Sequence, residues 1–362
     1  MTFNLKKLSL YFLVFILIIL FLFCLLVLKF RKDFHSKYKE CQHIVSINFG
    51  LGNQLLEYAF GYALSKETGQ KVCYSLDFSK NPKVKHEKNA MDLFDVKMDI
   101  VDFHFNKLTR SFPKFIRKYI YYIHNPIATS QQIYLKDSKI DTNTIIMNTS
   151  YGFHPEIMLG SNFFNYWTCG YFNIQYFDKY RKDLLKQFKL KVPLDSKNKK
   201  MLKEIKKYKN SVSIHIRRGD YLKLPAYNIV EYDNYYRDAM KKFESLKDVH
   251  YFIFSNDPEW VKSNFKTNRP ATIVDINGDL EAHFDLELMK NCKHHIITNS
   301  TFSFMGAYLD GSEDSIVVAP KYHSLFRCKK NEKICFITIP TYPKNWVVID
   351  NFKNKVDKIY YY

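Results

Sequence analysis

The stretch Ser211-Val-Ser-Ile-His215-Ile-Arg217-Arg218-Gly219-Asp220-Tyr221 joins the pattern of a strand to that of a charged turn. Its first seven residues alternate between polar and apolar, which predicts a β-strand, and Arg218-Gly219-Asp220 has the composition of a turn. His215 and the two arginines are therefore expected at the carboxyl end of a strand, the edge where open α/β sheets bind ligands. Paired guanidinium groups suit an anionic oxygen cluster, because their planar forks meet phosphate oxygens in bidentate fashion. For this string alone, the alternative is a surface turn beside a hydrogen-bonded histidine.

Strand and helix patterns alternate on both sides of this stretch. Residues 44–47 read as a strand, and they lead through the glycine pair Gly50 and Gly52 into a helix that Gly69 ends. From residue 201 to residue 319 the same alternation continues, with Asp257 as the expected N-cap of one helix. Such alternation predicts an α/β protein whose parallel sheets are covered by helices on both faces.

The composition is that of a folded, basic protein. The chain has 362 residues, 46% of them hydrophobic, and a formal net charge of +19, so two domains with substantial cores are expected. A lysine-rich surface accounts for most of this charge, and a basic cleft for an anionic substrate would account for part of it. Nucleic-acid binding is disfavoured, because the lysines are scattered and no zinc-finger or RNA-recognition signature occurs.

The N-terminal segment predicts a membrane anchor. After a short tail at 1–7, residues 8–28 form an uncharged apolar run of 21 residues, long enough to cross a bilayer as a helix. Residues 29–42 read as a charged stem. The lysines and arginine that follow the apolar run place the body in the cytosol by the positive-inside rule.

Four segments in order resemble the α-1,2-fucosyltransferases, glycosyltransferase family 11. Together they cover about residues 44–310, and they are Gly50-Leu-Gly-Asn-Gln54, His215 to Tyr221, Phe254-Ser-Asn-Asp257, and Asp285-Leu-Glu-Leu-Met289 with Asn299-Ser-Thr-Phe-Ser303. The chain departs from the family at Phe304-Met305, where paired tryptophans are usual, and at Asn256.

The resemblance implies a GT-B-like fold in which two Rossmann-type domains face each other across a cleft. It assigns an acceptor-side domain to 43–200, a GDP-fucose-binding domain to 201–330, and a C-terminal segment that packs back to 331–362. It also implies a single-pass type II protein of the Golgi membrane with a lumenal body, against the flanking charges. Glycosylation at Asn148, in the sequon Asn148-Thr-Ser150, is expected for a lumenal body.

The resemblance also implies the roles of the site residues. Arg217, Arg218 and Asp220 are the expected catalytic residues, and contacts to the donor are expected from the following side chains: His215, Asn53, Gln54, Asp257, Asp285, Ser300, Thr301 and Ser303. For Ser300 and Thr301 the alternative is simple N-capping of the helix that begins there. For Asp285, guanine recognition competes with a role in capping or in a salt bridge.

No metal is expected to assist the reaction. No two aspartates are two residues apart, so the usual metal-binding motif of nucleotide-sugar transferases is absent and arginines are expected to stabilise the leaving diphosphate. The base that takes the acceptor proton is left open among Asp220, Glu231 and Asp233, and Asp220 has the alternative role of fixing the turn or an arginine.

The expected function is inverting, metal-independent transfer of fucose from GDP-fucose to the 2-hydroxyl of a terminal galactose on a glycan. One alternative is a GT-B enzyme that uses another nucleotide sugar, and another is a non-enzymatic, membrane-anchored carbohydrate-binding protein. Disulfide pairing among the seven cysteines cannot be derived from their spacing; Cys328 and Cys335 form the closest pair outside the apolar run.

Overall fold

The computed structural model describes most of the chain between residues 40 and 351. The described residues are 14, 17–18, 21, 25, 40–76, 88–102, 146–147, 158, 165–167, 173–225, 227–228, 230, 232–327, 334–338 and 341–351. The sequon at Asn148, Glu231, Cys328 and the side chains of Asp233 and Cys335 lie outside this part.

The first sheet is parallel and has the strand order β2-β1-β4-β3. Its strands are β1 (His43–Ile47), β2 (Val72–Leu76), β3 (Ile146–Met147) and β4 (Asn165–Trp167). Helix α1 (Leu51–Thr68) connects β1 to β2 and ends at Gly69, whose φ of 66° is the left-handed conformation that glycine adopts readily. The βαβ start and the helix stop expected from the sequence are therefore confirmed.

The second sheet is also parallel and has six strands in the order β12-β9-β8-β5-β6-β7. The helices α2 (Arg181–Gln187) and α3 (Ser196–Ile205) precede it. Its elements follow as β5 (Asn210–Ile216), α4 (Tyr232–Met240), β6 (Val249–Ser255), α5 (Pro258–Asn264), β7 (Ala271–Val274), α6 (Ala282–Lys290), β8 (His294–Ile296), α7 (Thr301–Tyr308), β9 (Val317–Pro320), the antiparallel pair β10 (Ser324–Arg327) and β11 (Ile334–Thr338), and β12 (Val347–Ile349). Two parallel α/β sheets agree with the expected α/β class.

The strand order reverses next to β5. From β5 the chain builds outward through β6 to β7, then crosses back to place β8, β9 and β12 on the other side. A reversal of this kind opens a crevice at the carboxyl ends of the two central strands, and ligands of open α/β sheets bind there. In this sheet the crevice lies beyond the ends of β5 and β8.

The two sheets are joined through α1 and α7, which pack against each other. Their interface belongs to one apolar cluster of buried side chains. The cluster includes Val45 of β1, Leu55 of α1, and Phe304 and Tyr308 of α7. Burial of this kind contributes about 1.5–3 kcal/mol per large side chain, so the start of α1 is held firmly beside the start of α7.

The predicted membrane anchor needs correction. Crossing a bilayer takes about 20 consecutive apolar residues in one helix, and among the described residues no helix has both the length and the apolarity for this. The longest described helix, α1, has 18 residues and includes Glu57, Lys66 and Glu67. The transmembrane helix of the predicted fold is therefore wrong. Membrane contact through 8–28 stays a prediction; five positions of that range are described, and the rest lie outside the described residues.

A disulfide joins Cys41, just before β1, to Cys73 in β2, with the two Cα atoms 5.7 Å apart. The bond fastens the neighbouring strands of the first sheet. Cysteine spacing could not reveal this pair, because its partners are 32 residues apart and meet only through the βαβ crossover.

Candidate active site

The loops after β5 and β8 meet at the crevice. Tyr221, in the 3-10 turn Gly219–Lys223 after β5, donates its hydroxyl to the carbonyl oxygen of Asn299 after β8 at 3.2 Å. His215, near the end of β5, places its ring 5.4 Å from the ring of Phe302 in the first turn of α7. The quoted motif after β5 and the Asn299–Ser303 segment are therefore brought together.

Arg218 is held by contacts with Asp257, Trp260 and Asn256. Its Nε–H donates to Asp257 Oδ2 at 3.1 Å, its guanidinium lies 3.7 Å from the centre of the Trp260 ring, and its main-chain N–H donates to Asn256 Oδ1 at 2.9 Å. A guanidinium stacked on tryptophan in a largely desolvated place gains about 1–2 kcal/mol. The side chain is only 14% exposed, so Arg218 is a preorganised cation in the turn that follows β5.

Asp257, an expected donor contact, is hydrogen-bonded to the protein through both carboxylate oxygens, and its contact with a donor stays a prediction. Its Oδ1 accepts the main-chain N–H of Trp260 and so caps α5, while Oδ2 holds Arg218. The predicted N-cap is confirmed. Asn256 also fills the space beside Gly219, where an added Cβ would lie 2.2 Å from Asn256 Nδ2.

Arg217 forms an ion pair with Asp220, with 2.8 Å between Nη2 and Oδ1, and its guanidinium lies 5.5 Å from the centre of the Tyr221 ring. Both side chains are partly exposed, so the pair itself contributes little to stability. The structure thus places the three expected catalytic residues in one turn, and it gives Asp220 the contact to an arginine that the sequence left as an alternative.

His215 is a buried, neutral imidazole. Burial, assisted by the nearby charge of Arg217, lowers the pKa of His215 to about 3. The residue is 4% exposed, and among the described residues its Nδ1 has no hydrogen-bond partner. A polar atom in this state is costly unless a ligand or water satisfies it, so His215 suits a hydrogen bond to a bound molecule.

Helix α7 begins without a side-chain cap. Ser300 is its N-cap residue, but its hydroxyl does not accept a main-chain N–H, and the first turn carries no acidic residue. The positive end of the helix dipole is therefore not compensated by the helix itself. Thr301 is partly exposed here. Ser303 is fully buried, and its hydroxyl bonds to the carbonyl oxygens of Thr298 and Ser300, so it stabilises the turn instead of facing the crevice.

Helix α1 also begins without a side-chain cap, at Gly50. A Cβ added at Gly52 would lie 2.4 Å from the main-chain nitrogen of Phe302, so the first turns of α1 and α7 are in direct contact. Within the described part of the chain, Asn53 Oδ1 is buried and has no hydrogen-bond partner. Two helix N-termini thus converge on one place, an arrangement that attracts anions.

Gln54 serves the loops of the first sheet. Its amide donates to the carbonyl oxygens of Phe49 and Lys88 and accepts the N–H of Ala90, and the side chain is fully buried. These bonds hold the loop before α1, and a contact of Gln54 with a donor stays a prediction.

Asp285 lies in the first turn of α6, a helix that packs against α7. Its Oδ1 accepts from Asn277 Nδ2 at 2.7 Å, and Asn277 in turn bonds to Asn198. Burial, only partly offset by the bond from Asn277, raises the pKa of Asp285 to about 7. A half-buried carboxyl of this kind can accept paired N–H donors once it is ionised.

Four contributing residues were assigned no role from the sequence, although Asn256 was noted as a departure from the family: Asn256, Trp260, Tyr221 and Phe302. Each lies inside or next to a quoted motif, but the patterns gave no reason to prefer these side chains to their neighbours. Trp260 could have been found as the residue one turn after the Asp257 cap, on the side of the helix start that faces the arginine turn.

Metal ligands can be assessed only over the described ranges. There, no group of three or more histidine, cysteine, aspartate or glutamate side chains is arranged to hold an ion. Independence from metal stays a prediction.

Comparisons with known proteins found a matching family model, similar sequences and similar solved structures. A family model described as glycosyl transferase family 11 matches residues 42–349. An α-1,2-colitosyltransferase of Escherichia coli is 30% identical over 279 residues, which cover 75% of this chain and 88% of that protein. The human galactoside α-(1,2)-fucosyltransferase 1 is 34% identical over 107 residues, 28% of this chain and 29% of that protein. Among solved structures, the fucosyltransferase NodZ from Bradyrhizobium is similar over 73% of this chain and 92% of its own, with 15% identity and a TM-score of 0.41.

Proposed function

Because the chain belongs to glycosyl transferase family 11, we propose that it is an inverting fucosyltransferase that moves fucose from GDP-fucose to the 2-hydroxyl of a terminal galactose. Both relatives named above carry the α-1,2 linkage in their names, and one is a galactoside fucosyltransferase. The observation that carries the proposal is the meeting of Arg218, the neutral His215 and two uncapped helix N-termini at one crevice.

The crevice is suited to a departing diphosphate. When the bond between the sugar and the terminal phosphate breaks, negative charge grows on the phosphate oxygens. Arg218 is already held in place by Asp257 and Trp260, so little reorganisation is needed when the charge appears. The N–H groups at the start of α7 and α1 add partial positive charge, and His215 supplies a hydrogen bond without a change of protonation.

The acceptor hydroxyl attacks the anomeric carbon from the side opposite the diphosphate, which inverts the configuration. The hydroxyl proton leaves as the new bond forms. Asp220 is paired with Arg217, so in this proposal it positions the arginine. The base remains open between Glu231 and Asp233, whose side chains lie outside the described residues.

Asp285 is the proposed recognition residue for the base. The Watson–Crick edge of guanine presents two N–H donors side by side, and a carboxylate accepts both. Asn277 orients the carboxyl through Oδ1. Since burial raises the pKa of Asp285 to about 7, binding of guanine draws the group toward its ionised form.

One alternative donor is favoured by a specific observation. The similarity that covers 75% of the chain is to a colitosyltransferase, and colitose differs from fucose only in lacking the 3-hydroxyl. The choice between them is made by comparing kcat/KM for GDP-fucose and GDP-colitose with the same galactoside.

The test of the proposed function is release of GDP from GDP-fucose by the purified chain with a panel of galactosides, with and without EDTA. We expect a product with fucose α-1,2-linked to galactose and equal rates in both conditions. Binding of galactosides without GDP release, or turnover with a uridine-linked sugar alone, would contradict the proposal.

A further inference from the structure

Phe49 has an unusual backbone conformation. Its φ is 57°, in the left-handed region that glycine adopts and that bulky side chains rarely do. Its side chain is not hidden in a core to compensate for this, because the residue is 42% exposed. A strained residue that also exposes an aromatic ring is maintained against its own local preference.

Two buried side chains of α1 hold Phe49 in this state. Gln54 Nε2 donates to the carbonyl oxygen of Phe49 at 2.8 Å, and Glu57 Oε2 accepts the main-chain N–H of the preceding Asn48 at 2.8 Å. Gln54 and Glu57 are both 0% exposed. The main chain is therefore fixed on both sides of Phe49 from within the protein.

The position of Phe49 is next to the candidate active site. It precedes Gly50, the N-cap of α1, and lies three residues before Gly52, whose Cα is packed against the main chain of Thr301 and Phe302. The carboxyl end of β1 therefore brings Phe49 to the N-terminal-sheet side of the place where the two helix starts meet. The arginines and Asp257 belong to the other sheet.

We propose that the ring of Phe49 is the platform on which the galactose of the acceptor stacks, an inference that rests on the proposed function. The chemistry selects the acceptor over the donor: a diphosphate and a base are bound by charge and hydrogen bonds, whereas a neutral sugar also offers an apolar face. In galactose the axial 4-hydroxyl leaves C3–H, C4–H and C5–H on one face. An aromatic ring covering that face leaves the equatorial 2-hydroxyl at the rim, where it can reach the anomeric carbon.

The strain provides a way to separate function from folding. Phe49→Gly removes the ring and relieves the backbone, whereas Phe49→Ala removes the ring and keeps a side chain at positive φ. Phe49→Trp keeps an aromatic face. If Phe49 had only a structural role, truncating it would lower the stability of the protein. Instead, the Phe49→Gly protein is expected to have an unfolding temperature equal to or above that of the wild type.

The experiment measures KM for a β-galactoside and for GDP-fucose in the three variants, together with direct binding of the galactoside by ligand-observed NMR in the presence of GDP. Loss of one aromatic contact predicts a rise of about tenfold in acceptor KM for Phe49→Gly and Phe49→Ala. Phe49→Trp should stay within about threefold of wild type, and donor KM should change by less than about twofold in all three.

Acceptor KM unchanged in both truncations, or donor KM raised as much as acceptor KM, would overturn the inference. The NMR arm separates it from the proposed function. If the wild type transfers no fucose but binds galactoside through Phe49, the donor assignment fails and the platform stands. If the wild type binds no galactoside at all, the platform fails as well.

Discussion

Arg218 shows how neighbouring residues can fix one side chain in the absence of a ligand. Asp257 accepts a hydrogen bond from its Nε–H, and the Trp260 ring stacks on its guanidinium group. Asn256 accepts a hydrogen bond from its main-chain N–H. Together these contacts fix the orientation of the guanidinium plane. The bond from Arg218 to Asp257 couples the arginine turn to the start of α5.

Replacing Arg218 by alanine should lower kcat by about two to three orders of magnitude, corresponding to roughly 3–4 kcal/mol of lost transition-state stabilisation. Arg218→Lys should recover only part of the rate, because a point charge replaces the planar fork. Steady-state GDP release measures both variants. If a folded Arg218→Ala protein kept the wild-type kcat, the proposal that this residue stabilises the leaving group would be wrong.

Because the Asp285 carboxyl titrates near neutrality, we expect the affinity for guanosine to depend on pH. Guanosine is chosen because it has no titrating phosphates. Burial raises the pKa of Asp285 to about 7, so the fraction ready to accept N–H donors grows as pH rises through neutrality. Calorimetry should show affinity increasing by about tenfold from pH 6 to pH 8, and Asp285→Asn should bind weakly with a flat profile. A wild-type profile equal to that of the variant would contradict guanine recognition by Asp285.

The same carboxyl has the opposite effect on stability. Its folded pKa lies above its unfolded value of 3.8, so the folded state holds the proton longer and the free energy of unfolding falls as pH rises from about 4 to about 7. Asp285→Asn should remove that part of the pH dependence. As pH rises, ionisation of Asp285 should therefore increase the affinity for guanosine and decrease the free energy of unfolding. These opposite signs assign both effects to the same carboxyl.

At the scale of elements, the decisive contact is between the starts of α1 and α7. A Cβ at Gly52 would meet Phe302 N at 2.4 Å and the main-chain carbon of Thr301 at 2.5 Å, and neither atom can move without shifting a helix. Glycine is required here because two backbones approach this closely.

Gly52→Ala should cost about 1–3 kcal/mol of unfolding free energy and weaken GDP binding, because the helix starts are pushed apart. Gly311→Ala is a matched control: nothing lies within 4 Å of its added Cβ, so both quantities should stay near wild type. Chemical denaturation and calorimetry give the two readouts. Equal behaviour of the two variants would show that the helix contact is not tight.

The disulfide between Cys41 and Cys73 closes a loop with a sequence separation of 32. Loop-closure entropy predicts that breaking it costs about 3–4 kcal/mol. The double variant Cys41→Ser, Cys73→Ser should unfold at a correspondingly lower denaturant concentration, and reductant should lower the stability of the wild type by more than that of the variant. Free thiols at both positions in the native, unreduced protein, detected by alkylation and mass spectrometry, would contradict the bond.

The elements most faithfully predicted were those whose signals are local. Alternation marked β5, and Asp257 with Pro258 marked the start of α5, because a cap and a fixed φ act within one turn. The roles of Gln54 and Ser303 could not be derived in the same way. Gln54 is satisfied by Lys88 and Ala90, more than 30 residues away, and the burial of Ser303 depends on how α7 packs against its neighbours.

At the scale of the whole molecule, topology assembles the site. The reversal of strand order between β5 and β8 opens the crevice, and the first sheet contributes the start of α1 to it. Alternating elements could predict parallel sheets but not the order of strands within them, since order depends on which side each crossover takes. The anchor failed as a prediction for a different reason, because apolar length alone does not establish a spanning helix.

A net charge of +19 raises the local concentration of anions, and the arginines at the end of β5 place two of the positive charges at the candidate site. The disulfide is of the kind that persists in oxidising compartments. A lumenal location, the Golgi and the glycosylation of Asn148 stay predictions, which mass spectrometry of the natural protein would test at the sequon.

The most direct test is a crystal structure of the chain with bound GDP. We expect the diphosphate at the crevice beyond β5 and β8, with its oxygens within hydrogen-bond distance of the Arg218 guanidinium and of main-chain N–H groups at the start of α7. A diphosphate bound elsewhere, with Arg218 and both helix starts facing only solvent, would contradict the account.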